Sequence, residues 1–107
     1  MSLQEIIENY LSNGWRLERI LMTDDAWSTE VKSEISENVI REVSDINALW
    51  FSRKRTSGQE AWELRFAGST PYALLELFEP YEPEEEQEER RKEMERELRE
   101  RIRKKDA

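Results

Sequence analysis

The sequence predicts an α+β domain, on three observations. One stretch, 48–67, has the alternation and central turn of a β-hairpin. Two stretches, 3–13 and 24–43, repeat apolar residues at helical spacing. A third, from Glu84 to the end, changes abruptly to Glu, Arg, Lys and Gln at ion-pair spacing. The expected architecture is a small antiparallel sheet of three strands, 15–22, 48–55 and 60–67. Helices 3–13, 24–43 and 71–79 cover it, and a long charged C-terminal helix follows. In domain terms this is a compact unit over 1–80 and a charged helical extension over 81–107.

In the hairpin, Trp62, Leu64 and Phe66 alternate with Glu63 and Arg65, and Ser57-Gly58 supplies the turn. With those two residues as the tip, Phe51 falls opposite Leu64, Leu49 opposite Phe66 and Arg53 opposite Trp62. Leu49, Phe51, Leu64 and Phe66 are then the core face. Trp50 falls beside Arg65 on the other face, in reach of a cation–π contact.

Taken in order, Ser2 and Glu5 match a capping box, and Leu3, Ile6, Ile7, Tyr10 and Leu11 line one face of the first helix. Gly14 stands where a left-handed C-terminal residue is expected. In the first strand, Trp15, Leu17 and Leu21 share a face, and the consecutive Ile20, Leu21 and Met22 suit a strand end covered on both sides. Asp24-Asp25 opens the second helix, along which Trp27, Val31, Ile35, Val39 and Val43 recur every four residues. Its β-branched content also admits a strand. Ser69-Thr70-Pro71 opens a short apolar helix with Tyr72, Leu74, Leu75, Leu77 and Phe78, closed by Pro80 and Pro83. The final helix has i,i+4 pairs from Glu86–Arg90 to Glu100–Lys104, acid at its start, base at its end, and one thin stripe of Met94, Leu98 and Ile102. Either this stripe rests on the domain or the helix projects.

Composition narrows the chemistry. The chain has no Cys and no His, which removes disulfides, thiolate nucleophiles, imidazole bases and the usual zinc ligands. Three Gly in 107 residues leave no nucleotide-binding fingerprint. No apolar run has the length of a membrane span, and no signal peptide is visible, so a cytoplasmic protein is expected. No enzyme, cofactor or metal is expected. Asp24 and Asp25 with Glu18 or Glu30 lack the glycine-bearing loop of a cation site and suit a helix cap better.

The expected function is that of a non-catalytic protein–protein interaction or regulatory module. Its contact surface is the C-terminal helix: the stripe Met94, Leu98 and Ile102, and the acidic start Glu84, Glu85 and Glu86. The partner is another protein or a second copy of the chain. The alternative is nucleic-acid binding at the hairpin tip, through Arg53, Lys54 and Arg55 with Trp50, Trp62 and Arg65 beside them. The net charge of −8 weighs against that. It suits a further alternative, in which the acidic run from Glu79 to Glu89 imitates nucleic-acid charge and occupies a basic site on another protein.

Overall fold

The computed structural model describes residues 3–24, 39–68 and 70–106. The chain order is α1 (Leu3–Ser12), β1 (Arg16–Met22), β2 (Ile40–Val43), β3 (Ala48–Lys54), β4 (Glu60–Phe66), β5 (Ala73–Phe78) and α2 (Glu84–Asp106). The strands form one mixed five-stranded sheet in the order β2-β1-β3-β4-β5. The β1–β2 pair is parallel, and the other three pairs are antiparallel. The expected three-stranded sheet is therefore corrected to five, and both extra strands come from segments expected to be helical.

The first is β5. Residues 73–78 pair with β4 along their whole length, Leu75 opposite Glu63 and Leu77 opposite Ala61. A six-residue apolar run is too short to sustain a helix by itself, whereas a strand edge satisfies its backbone at once. Pro71 fits the entry to an edge strand as well as it fits a helix start. The second is β2. Residues 40–43, at the end of the expected 24–43 helix, lie parallel to β1 with Ile40 opposite Arg19 and Val43 opposite Met22. Asp25, Trp27, Val31 and Ile35 of that expected helix lie outside the described residues, as does Ser2 of the capping box.

The hairpin forms where expected, one residue out of register. Trp50, not Phe51, faces Leu64, and Ala48, not Leu49, faces Phe66. The cause is the loop. Gly58 N–H donates to Arg55 O at 3.0 Å, Arg55 N–H donates to Gln59 O at 2.8 Å, and Gly58 takes φ 90°. This is a three-residue turn with a left-handed glycine, not a two-residue one. The extra residue turns every β3 side chain to the opposite face relative to β4. Trp50 and Arg65 consequently lie on opposite faces, and their expected contact does not form.

The sheet is covered on both sides. On one face α1 sets Ile6 against Ile20, Met22, Leu49 and Phe51, with Tyr10 stacked on Phe51 at 4.0 Å between ring centres. Gly14 ends this helix at φ 87°, as expected, while Leu11 is left half exposed. On the other face α2 lies over Leu21, Ala48, Trp50, Trp62, Leu64 and Phe78. The stripe rests on the domain: Met94 and Leu98 are buried in that cluster, with Ile102 packed at its margin. The expected core set is thus split, Leu49 and Phe51 under α1, Leu64 and Phe66 under α2. Burial on both faces explains the unbroken apolar run Ala48-Leu49-Trp50-Phe51 in β3. Among the described residues, no helix is long and apolar enough to cross a membrane.

Candidate functional site

The contact between α2 and the sheet is apolar at its centre and ionic around it. The ionic part decides which charges remain on the surface. Arg91 is 1% exposed. Its guanidinium lies 4.1 Å from the Trp62 ring centre and 5.3 Å from that of Phe78, and it reaches Glu84 at 3.0 Å and Glu88 at 3.2 Å. Burial pulls the Arg91 pKa down, against the pull of Glu84, and neighbouring Arg19 adds to the lowering. An arginine tolerates this where a lysine would not, because its charge is delocalised and its plane stacks on rings. Arg19, on β1, holds Glu88 through two hydrogen bonds of 2.9 and 2.6 Å. The hydrogen bond from Arg19 keeps the Glu88 carboxyl below its ordinary pKa.

Further along α2, buried Glu95 accepts the Trp50 indole N–H at 2.9 Å and an ion pair from Lys92 at 3.5 Å. Lys92 also reaches Glu42 on β2 at 3.3 Å, and Arg99 reaches Asp45 at 2.7 Å. Arg90 lies over the Phe78 ring at 4.4 Å and pairs with Glu82 and, at 3.5 Å, with Glu76. Of the ion pairs expected along the helix, Glu88–Lys92 and Glu97–Arg101 form. Arg90, Glu95 and Arg99 instead direct their charge to the sheet and the loops around it.

One consequence is an acidic outer face. Glu84, Glu85, Glu86, Glu89 and Glu93 are exposed, while the bases that follow the acidic run in sequence, Arg90 and Arg91, are turned inward. Beside this face runs a groove of about 700 Å³ lined by Arg19, Glu84, Glu85, Glu88, Glu89, Lys92, Glu93 and Arg96. Arg19 and Lys92 are already bound to Glu88, Glu42 and Glu95, and Arg96 stands 3.9 Å from Glu93. Among the described residues, no group of three or more acidic side chains is arranged to hold a metal. Glu18, considered above for a cation, instead takes Arg16 at 2.9 Å and the Ser52 hydroxyl at 3.0 Å, and Asp25 and Glu30 lie outside the described residues.

The hairpin residues separate. Trp50 and Trp62 are buried beneath α2, while Arg53 and Arg65 lie on the α1 face. Arg53, Lys54 and Arg55 are exposed at the tip. The aromatic neighbour of Arg53 is Trp15, 4.7 Å from guanidinium to ring centre. A second pocket of about 350 Å³ lies there, lined by Ile6, Asn9, Tyr10, Asn13, Trp15, Arg53 and Arg65. Several of its polar groups have partners within the chain: Arg53 donates to Asn13 O, Arg65 to Phe66 O, Asn13 to Asn9 O, and the Tyr10 hydroxyl to Glu63. Sequence reasoning found neither this pocket nor the Arg19–Glu88–Arg91 group. The available signal for the latter was Arg19, a charge interrupting the expected face of Trp15, Leu17 and Leu21. The irregularity between Leu17 and Arg19 splits that face, with Trp15 and Leu17 under α1 and Arg19 and Leu21 under α2.

Comparison with known proteins finds no matching family model, no matching curated protein and no matching solved structure.

Proposed function

We propose that this protein is a non-catalytic interaction module that binds a basic, extended segment of another protein along the acidic face and groove of α2. The observation that supports the reading is the inward turn of Arg90 and Arg91. It leaves Glu84, Glu85, Glu86, Glu89 and Glu93 outward, beside a groove of about 700 Å³. The buried Met94 and Leu98 are not free to serve a partner, so the contact is ionic rather than a helix–helix seam. From Glu84 to Arg96 the helix rises about 18 Å, a span matched by roughly five residues of extended chain. The same face would occupy a nucleic-acid-binding site of a partner if its carboxylates stand in for phosphates.

Titration calorimetry with a synthetic Lys- and Arg-rich peptide tests the reading. Binding is expected at low salt, weakening steeply as ionic strength rises. The triple variant Glu85→Gln, Glu89→Gln, Glu93→Gln should weaken it about tenfold or more, since each rim charge contributes modestly and the set acts together. Equal affinity for wild type and triple variant would overturn the proposal. Salt-sensitive binding of a single-stranded oligonucleotide that is lost on Arg53→Ala with Arg55→Ala would favour the hairpin tip instead.

A further inference from the structure

The two outer strands of the sheet are built differently. β2, Ile-Arg-Glu-Val, exposes Ile40 and Val43 but carries two adjacent charges in four residues, and charge is the usual protection of an edge. β5, Ala-Leu-Leu-Glu-Leu-Phe, carries one charge in six residues, and Leu75 at its middle is 58% exposed. That charge, Glu76, lies 3.5 Å from Arg90. In a chain of net charge −8, this is an edge on which two copies can approach with little repulsion.

The phase of the backbone is fixed by one bond. Phe66 N–H donates to Tyr72 O at 2.8 Å, so alternate residues from Tyr72 on (Leu74, Glu76 and Phe78) turn their backbone groups toward β4. Ala73, Leu75 and Leu77 therefore turn theirs to the outer edge. At the two ends of the strand the edge is closed: Pro71 has no N–H, Leu77 N–H points at Glu76 Oε1 at 3.3 Å, and Glu79 N–H donates to Glu82 Oε1 at 2.8 Å. The open part is centred on Leu75.

The side chains of the same three residues share a face. Leu75 lies opposite Glu63, and Glu63 opposite Phe51, which places Ala73, Leu75 and Leu77 on the α1 side of the sheet. There α1 packs over β1 and β3, and Leu75 is left uncovered. We propose that β5 is a self-pairing edge: two copies of the chain join antiparallel about a two-fold axis through Leu75, making one continuous sheet. In this register each Leu75 exchanges N–H and C=O with its counterpart, and the Ala73 N–H donates to the Leu77 C=O of the second copy. The apolar strips Ala73, Leu75 and Leu77 then merge across the axis, and Leu74 meets Glu76 on the other face. A slip by one residue would set Leu75 beside Glu76 and turn the strips to opposite faces, which excludes that register, and a two-residue slip toward Phe78 would set Glu76 against its own counterpart. The interface is isologous and closes as a dimer, without open-ended growth.

Sedimentation of the full chain over a concentration series tests this without any basic partner, together with hydrogen exchange at low and high concentration. The expected result is a monomer–dimer equilibrium, with the Ala73 and Leu75 amides exchanging more slowly as the dimer fills. Leu75→Lys should weaken the dimer about tenfold or more. Leu75→Pro, which removes an outward N–H and no bond to β4, should do the same, and Ile40→Lys on the opposite edge should not. A chain that stays monomeric up to about 1 mM overturns the proposal, since a Kd weaker than that holds no useful dimer. So does a dimer that survives Leu75→Lys or is lost on Ile40→Lys. If Leu75→Pro fails to fold, the wild-type exchange data decide: equal Leu75 exchange at both concentrations counts against self-pairing.

Discussion

Leu98→Ala separates a helix that rests on the sheet from one that only follows it. Leu98 is fully buried against the cluster that includes Trp50, Trp62 and Leu64. Truncation there removes three carbons' worth of burial and opens a cavity, and costs about 2–5 kcal/mol. On an exposed helix the same change would be neutral or slightly favourable, because Ala is the better helix former. The two arrangements therefore differ in sign as well as size. For a chain of 107 residues, a loss of about 3 kcal/mol lowers Tm by roughly 12–24 °C. Urea unfolding followed by tryptophan fluorescence gives the free energy directly, since Trp50 and Trp62 lie under the helix. A change smaller than about 0.5 kcal/mol would refute the packing of α2 on this face.

Acid should destabilise the fold partly through Glu88. Its carboxyl is held below the ordinary value of 4.5, chiefly by the hydrogen bond from Arg19. That contribution is complete above pH 4.5 and is lost as pH falls through the lower folded value. Stability measured against pH should therefore fall less steeply below 4.5 in Glu88→Gln than in wild type. At the alkaline end, burial and then the hydrogen bond to Glu63 raise the Tyr10 phenol above its ordinary 10.0. One of the three tyrosines should ionise late in an ultraviolet titration. Its contribution to stability is complete below pH 10.0 and is lost as pH rises toward the folded value, and Tyr10→Phe should remove the late phase at a cost of about 1 kcal/mol. Gly58→Ala, at φ 90°, should cost about 1 kcal/mol in chemical denaturation, since an L side chain is strained there.

The hairpin was legible because β4 alternates cleanly and its turn contains a glycine. Its register was not. The choice between a two- and a three-residue loop turns on whether Gly58 alone takes the left-handed conformation, and one residue of difference moves Trp50 from one face to the other. That single slip also carried the nucleic-acid reading, which grouped Trp50 and Trp62 with Arg53 and Arg65. In the fold the tryptophans lie under α2 and the arginines on the α1 side. β5 was missed because Leu74, Leu75, Leu77 and Phe78 fit a helix face and an edge strand about equally, and pairing with β4 decided between them. For α2, the stripe and its charge gradient were visible. The inward turn of Arg90 and Arg91 was not, because it depends on Trp62 and Phe78 lying side by side, a proximity that exists only once β4 and β5 pair.

A backbone amide NMR titration of the full chain with the Lys- and Arg-rich peptide tests most directly whether α2 binds a basic segment. Shift changes are expected only at residues 84–96 of α2 and at Arg19, fading at high salt. Changes centred on residues 53–55, or none at peptide saturation of the acidic charge, would contradict binding by α2.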